Sequence, residues 1–461
     1  MENTAAIIIA AGNGKRMKSN KPKPMCEVLF KPMINWVLDS CFSAKIERIS
    51  VVVTDENRFV QDALPQGIQT YTQYEKLGTG HAIMTATDFI KENIECDVFL
   101  LCGDAPLIDN ETLVNTLRFH RENNNDVTVV SANLNNPFGY GRIIRENGEF
   151  ICITEEKDAN AETKLINEIN SGIYCAKASF LLKALPKIQN NNASHEYYLT
   201  DIISIAKELG YKTGVIATDN PDSILGANDR KSLAMLNEIA RQKVIDKLYD
   251  NGVNIPFSDS VIIAPSVKIG CDTTIMPNCI ITGDTTIGEN CTIGEATIIS
   301  NSKIGDGNYI QSSNIENSII ENNTHIGPYA HIRPKSHIKN GVKLGNFVEI
   351  KSSVIGEKTS VAHLTYLGDS ELGSYVNVGC GVVTANYDGK DKHKTIIGDS
   401  SFIGCNTNFI PPVKVGTGVV IGAGSTITDD IDDFALAMAR AKQTNISEWA
   451  IKKGKYKKGL K

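Results

Sequence analysis

Ile263-Ala-Pro-Ser-Val-Lys-Ile269-Gly-Cys-Asp-Thr-Thr-Ile275-Met-Pro-Asn-Cys-Ile-Ile281-Thr-Gly-Asp-Thr-Thr-Ile287-Gly-Glu-Asn-Cys-Thr-Ile293 places an isoleucine on every sixth residue. Ile299 extends the series. The register resumes at Ile320, Ile326, Ile332, Ile338, Leu344 and Ile350, and again at Ile397, Ile403, Phe409, Val415, Ile421 and Ile427. Neither the period of a helix nor the alternation of a half-buried strand generates this spacing. A parallel β-helix built of six-residue sides does, because each side of a triangular coil points one aliphatic residue inward. Glycines following many of these positions, as in Ile287-Gly288, Leu344-Gly345 and Ile421-Gly422, suit tight turns between sides. The period fixes a scaffold and is silent on chemistry.

The places where the rhythm fails carry more information. Between Val378 and Ile397 it lapses over residues 379–389, Gly-Cys-Gly-Val-Val-Thr-Ala-Asn-Tyr-Asp-Gly, which should leave the coil as a loop. Insertions in a solenoid collect on one face, where they line a binding site or are simply tolerated.

Upstream the chain reads differently. Residues 5–10, 49–53 and 98–102 are short continuous apolar runs, the pattern of parallel strands buried on both faces. Residues 34–42 and 80–92 carry helical spacing between them. Such alternation predicts a doubly wound α/β sheet with ligands at the carboxyl ends of its strands. Residues 229–251, with Leu233, Leu236, Ile239, Val244, Ile245 and Leu248, predict one amphipathic connecting helix. The expected plan is an α/β domain over 1–228, a linker helix over 229–251 and a β-helix domain with a tail over 252–461.

Composition bounds the function. A chain of 461 residues exceeds one compact core, and its net charge of −6 argues against bulk nucleic-acid binding. The basic stretch 452–461 reads as a solvated tail with no assigned role. Eleven cysteines without a Cys-x-x-Cys pair match neither a zinc site nor a disulfide framework, so reduced thiols in a cytoplasmic protein are expected. The N-terminus lacks a basic leader region, and no apolar stretch approaches the roughly 20 residues that span a bilayer. A soluble intracellular protein is expected.

The first apolar run opens into Ala10-Ala11-Gly12-Asn13-Gly14-Lys15-Arg16-Met17, with Lys23 beyond. Glycines at a strand end let backbone N–H groups approach phosphate, while Arg16 and Lys23 can neutralise a triphosphate and a leaving pyrophosphate. An ordinary strand-to-helix turn is the alternative reading. Asp104, in Cys102-Gly103-Asp104, is a strand-end carboxylate for which catalytic and structural roles are both open.

These segments resemble the sugar-nucleotide pyrophosphorylases. The resemblance implies UTP binding by Ala11, Gly12, Gly14, Gln73, Gly78 and Thr79, the last two within Leu77-Gly78-Thr79-Gly80-His81-Ala82. It implies Mg²⁺ at Asp104 and Asn228, and sugar binding by Gly141, Glu155 and Asn170. Oxygen ligands are what magnesium on nucleotide phosphates requires. The sequence departs from the commonest form at Lys15 and at Pro24-Met25-Cys26, leaving Arg16 and Lys23 in place.

In the repeat half, Arg333, Glu349, Lys351, His363, Tyr366, Asn377, Asn386 and Lys392 are polar residues on an otherwise aliphatic and small framework. Histidine as a residue type ordinarily titrates near neutrality, which suits His363 to accept a proton from an amine nucleophile, and Arg333 and Lys351 can bind a sugar phosphate. A surface histidine without a role is the bland alternative. Gly345-Asn346-Phe347-Val348-Glu349-Ile350-Lys351, His363-Leu364-Thr365-Tyr366-Leu367-Gly368-Asp369 and Asn386-Tyr387-Asp388-Gly389 resemble the family of bifunctional uridyltransferase/acetyltransferases, across essentially the whole chain. That resemblance implies a left-handed β-helix in which His363 is the general base, oriented by Glu349, while Asn386 positions the substrate amine. Arg333, Lys351, Tyr366, Asn377 and Lys392 would hold glucosamine 1-phosphate; Cys380, Cys405, Ala423 and Arg440 would contact acetyl-CoA. The backbone N–H of residue 405 would face the oxyanion, so a cysteine side chain there is tolerated. The implied product is UDP-N-acetylglucosamine and the implied assembly a homotrimer. Two rival readings are a single-activity pyrophosphorylase with a regulatory β-helix, and a non-catalytic subunit of a translation exchange factor.

Overall fold

The computed structural model describes residues 1–12, 14–55 and 58–455, and the chain divides into two compact units, Met1–Lys243 and Val244–Lys461. In the first, Thr4–Ile9 lies between Arg48–Val53 and Asp97–Cys102, parallel to both. The apolar runs are continuous because successive side chains serve two cores. Ala5, Ile7, Val98 and Leu100 enter one, and Ala6, Ile8, Phe99 and Leu101 enter the other. The full spatial order is Thr213–Ala217, Val127–Asn133, Glu168–Lys177, Asp97–Cys102, Thr4–Ile9, Arg48–Val53 and Gln69–Thr72.

Glu168–Lys177 runs antiparallel to both its neighbours, a reversal that apolar patterning alone does not reveal. The hairpin of Arg142–Glu146 with Glu149–Thr154 occupies the connection leading into it, so no crossover helix is needed there. The helical stretch 80–92 is two helices, Thr79–Thr85 and Thr87–Glu92, interrupted at Ala86 with φ −93° and ψ 21°.

A single helix, Arg230–Asp250, spans the expected linker. Its first half is held within the first unit, where Arg230 Nε donates to Met17 O at 3.0 Å and Asn237 Oδ1 accepts from Leu29 N at 2.8 Å. Farther along, Ile245 and Leu248 are buried in the core of the second unit.

That core is a column of the expected aliphatics. Ile263 pairs with Ile281 and Ile281 with Ile299, while Ile269 pairs with Ile287 on another side. Every inward position of the six-residue series is buried, from Ile263 to Ile427. At about 1.5–3 kcal/mol per buried aliphatic side chain, this column is the main stabilising term of the unit. The break after Ile299 has a simple cause: Ile304, Ile315 and Ile320 close sides of five residues instead of six.

The glycines have a different reason from the one the sequence suggests. Gly345 does not take a left-handed conformation; a Cβ there would sit 2.0 Å from Ala362 O, and one on Gly356 would sit 2.2 Å from the carbonyl carbon of Gly373. Stacking of coil upon coil excludes the side chain, not the curvature of a turn.

The excursion is also shorter than the lapse implied. Val383–Thr384 remains a coil strand, Ala385 N still donates to Phe409 O at 2.9 Å, and the coil resumes at Thr395–Ile397. Buried Thr384 occupies an inward position that elsewhere holds an aliphatic, which is why the rhythm is lost early. All eleven cysteines are free. No helix among the described residues is long and apolar enough to cross a membrane. The basic tail begins inside a short helix, Trp449–Lys452, and its residues 456–461 lie outside the described residues.

Gly356→Ala should destabilise the β-helix by about 1–3 kcal/mol, the usual cost of overpacking. Thermal or denaturant unfolding of the full chain measures this; an unchanged midpoint would refute the stacking argument.

Candidate functional site

In the first unit, backbone contacts bring distant segments to the carboxyl ends of the central strands. Gly103 N donates to Ile9 O at 2.9 Å, and Ala227 N donates to Asp104 O at 3.1 Å. The Asp104 carboxylate and the Asn228 amide oxygen therefore converge. Lys23 Nζ forms an ion pair with Asp104 Oδ2 and donates to Asn228 Oδ1 at 2.9 Å, while Arg16 Nη2 reaches the same oxygen at 3.3 Å. Gly14 takes φ +52°, and a Cβ on it would approach Lys23 Cβ to 2.9 Å, so this turn brings the loop back against the lysine. The side chain of Lys15 lies outside the described residues.

A pocket of about 200 Å³ opens beside this cluster and is lined by Thr79, Asp104, Gly141, Glu155, Asn170 and Asn228 among others. The structure thus brings together one predicted nucleotide contact, three sugar contacts and both metal candidates. Buried Gln73 stands next to the segment that follows it, donating through Nε2 to Gly78 O at 3.1 Å. Gly80 N bonds Tyr197 O at 2.8 Å, and Thr79 Oγ1 accepts from Leu199 N at 3.1 Å. Ala11 and Gly12 lie directly beyond the central strand.

Several supporting residues escaped the sequence reading. Arg142, buried, pairs with Glu156 at 2.8 Å, and Glu156 accepts from Gly139 N at 3.2 Å, which fixes the turn that carries Gly141. Their only sequence signal is the arginine directly after Gly141. Thr200 donates to Glu155 at 3.2 Å. Burial, with Asp158, Asp201 and Glu196 nearby, nevertheless raises the Glu155 pKa. Burial pushes the Cys102 thiol to about 12, so this pocket-wall cysteine stays neutral.

In the second unit the ladder sorts the polar residues into two lines. His363 pairs with Asn346, and His363 and Cys380 each lie two residues beyond the paired Val361 and Val378. Cys405 and Ala423 follow in the same way beyond Ile403 and Ile421. One corner of the coil therefore carries Asn346, His363, Cys380, Cys405 and Ala423 in succession. Arg440 Nη1 donates to Ala423 O at 2.8 Å, so it joins this line. The N–H groups of Gly379, Gly404 and Gly424 bond to neighbouring coils, whereas those of Cys380, Cys405 and Ala423 have no acceptor among the described residues.

The adjoining side carries the rest. Arg333 and Lys351 follow the paired Ile332 and Ile350, and Glu349 pairs with Tyr366. Tyr366 Oη donates to Asn386 Oδ1 at 3.4 Å. Glu349 is engaged by Arg333 Nη1 at 2.8 Å, and no hydrogen bond joins it to exposed His363 among the described residues. Asn377 pairs with Ser360 on the preceding side of the coil, and Lys392 lies exposed on the excursion, where it pairs with Tyr387.

Comparison with known proteins agrees with this division. Residues 5–221 match the nucleotidyl transferase family model, and residues 266–301, 317–352 and 394–429 match the bacterial transferase hexapeptide (six repeats) model, whose coils form a left-handed β-helix. The bifunctional protein GlmU of Acetivibrio thermocellus is 46% identical, the match covering 98% of this chain and 98% of the relative. That of Caldanaerobacter subterraneus subsp. tengcongensis is 47% identical over 99% and 100%, and that of Clostridium botulinum strain Kyoto 45% over 98% and 99%.

The acidic surround of Glu155 yields a pH test. Burial, with Asp158 nearby, raises the Asp201 carboxyl to about 6, against about 3.9 in an unfolded chain. Between those values the folded state holds the extra proton, so this group's stabilising contribution is complete below about pH 3.9 and is lost as pH rises through 6. The melting temperature of Asp201→Asn minus that of the parent should therefore increase from pH 4 to pH 7.5. A difference independent of pH would refute the shift.

Proposed function

This chain belongs to the bifunctional GlmU family, and from that premise we propose which of its residues carry the two transfers that make UDP-N-acetylglucosamine. The enzyme acetylates glucosamine 1-phosphate with acetyl-CoA, then transfers uridylyl from UTP to N-acetylglucosamine 1-phosphate with release of pyrophosphate. The observation that carries the assignment is the ordering of the second site: His363, Cys380, Cys405 and Ala423 run down one corner, with Arg333, Lys351 and Tyr366 on the next side.

For acetyl transfer, Arg333 and Lys351 hold the phosphate of the amino sugar, with Asn377 and Lys392 as further contacts. The free amine attacks the thioester carbonyl while His363 accepts its proton. The unbonded N–H of Cys405 stabilises the tetrahedral oxyanion, and coenzyme A leaves as the thiol along Cys380, Ala423 and Arg440. Glu349 acts on His363 only when substrate phosphate draws Arg333 away from it. Because Asn377 lies round the coil corner from Tyr366, we place the complete site between neighbouring β-helices of a homotrimer.

For uridylyl transfer, the sugar phosphate oxygen attacks the α-phosphorus of UTP. Gln73, Gly78 and Thr79 hold the base; Ala11, Gly12 and Gly14 face the phosphates, and Arg16 and Lys23 neutralise the departing pyrophosphate. Gly141, Glu155 and Asn170 hold the sugar. Asp104 and Asn228 fit Mg²⁺, since two oxygen donors already converge on a positive charge, the Lys23 ammonium. When bound, the ion offsets triphosphate charge. We place the enzyme in the cytoplasm, where its co-substrates are supplied. A purely scaffolding β-helix would leave the ordered corner without a role, and a non-catalytic chain would not need the Arg16, Lys23, Asp104 and Asn228 cluster.

A crossed pair of variants tests the assignment on folded full-length protein, with each substrate and Mg²⁺ omitted in turn. His363→Ala should lower acetyl transfer by ~10²–10⁴-fold, partly recovered at higher pH as free amine accumulates, and leave uridylyl transfer intact. Asp104→Ala should do the converse, abolishing Mg²⁺-dependent pyrophosphate release while thiol release continues. Loss of both activities in either variant would overturn the division of labour.

A further inference from the structure

Asp369 holds a place in the acetyltransferase site that the assignment above does not explain. It follows Gly368 at the end of Ser360–Gly368 and takes φ +48°, a left-handed conformation that aspartate tolerates better than most residues. Its backbone N donates to Lys351 O at 3.0 Å, and its carbonyl accepts from Thr395 N at 3.2 Å, where the coil resumes after the excursion. Its side chain meets the other end of that excursion: Asn386 Nδ2 donates to Asp369 Oδ2 at 2.5 Å.

This contact decides which way the buried Asn386 amide faces. A carboxylate only accepts, so it selects the NH₂ and would repel the amide oxygen. Oδ1 must then turn to the opposite side, where Tyr366 Oη donates to it at 3.4 Å. Gly368 leaves the room: a Cβ there would stand 2.5 Å from Tyr366 Oη and 2.8 Å from Asn386 Nδ2. We infer that Asp369 is a positioning residue for acetyl transfer, locking Asn386 so that Oδ1 accepts an N–H of the substrate amine and aims the nitrogen lone pair at the thioester. Gly368 provides the space for that arrangement. This rests on the placement of Asn386 in the acetyl site.

With asparagine at 369, either face of the Asn386 amide finds a partner and the lock is lost. Asp369→Asn should reduce kcat for acetyl transfer roughly ten- to a hundredfold, the scale of a misoriented reacting group, with KM for acetyl-CoA and the rate of uridylyl transfer unchanged. The pH profile of the remaining acetyl activity should keep its shape, because His363 is intact. Gly368→Ala should show the same selective loss. In an Asn386→Ala background, Asp369→Asn should cost nothing more, since its effect passes through Asn386.

Full acetyl activity in Asp369→Asn, an equal fall in both activities, or additive losses in the double variant would each overturn the inference. If Asn386→Ala is impaired while Asp369→Asn is not, the inference alone fails. If Asn386→Ala is itself fully active, the placement of Asn386 fails and the inference with it.

Discussion

Parallel backbone hydrogen bonding between successive coils decides where each functional side chain of the second unit stands. A residue's offset from the nearest inward aliphatic sets its column, and the ladder stacks that column at about 4.8 Å per coil. Two residues beyond the inward position lies the corner that carries His363, Cys380, Cys405 and Ala423. Among the described residues the same ladder leaves the N–H groups of the last three without an acceptor, so a row of donors arises without any side chain being dedicated to it. Close stacking also leaves no room for a side chain at Gly345, Gly379 and Gly404, each between an inward residue and its corner residue.

The first unit places its site residues by the opposite route. Lys23 and Asn228 are 205 residues apart, and Lys23 and Asp104 are 81 apart, so their meeting depends on the whole sheet being assembled. Burial of Arg142 against Glu156 and of Glu155 against Thr200 supports the pocket from behind. A point change in the sheet can therefore displace several contacts together, whereas one in the coils acts mainly on adjacent coils.

The fold was legible because its periods are unambiguous: every inward residue read from the six-residue series is buried, and the three central strands fall where the apolar runs lie. Antiparallel Glu168–Lys177 was not legible, since strand direction depends on the connection before it and not on the strand's composition. Among the site residues, Arg16, Lys23, Asp104 and Asn228 were found through motifs and do converge. Glu349 accepts from Arg333, sixteen residues earlier and one coil away, and no hydrogen bond joins it to His363 among the described residues, a pairing that the motif alone does not reveal. Asp369 was quoted within a motif but its task was invisible, as only the folded excursion brings Asn386 against it.

The excursion after Ala385 closes on itself: Tyr387 pairs with Lys392, Asp388 Oδ1 accepts from the N–H groups of Lys390 and Asp391, and Asp388 Oδ2 meets His393 at 2.7 Å. The coil then re-enters at Thr395 aligned with Ser370 below it, as though nothing had intervened. A solenoid of this kind behaves like a bookshelf, in which one volume can be thicker at its spine without tilting those above. New recognition surfaces can thus be grafted at a single corner and altered in length or composition independently, while the architecture that repeats around them stays in step.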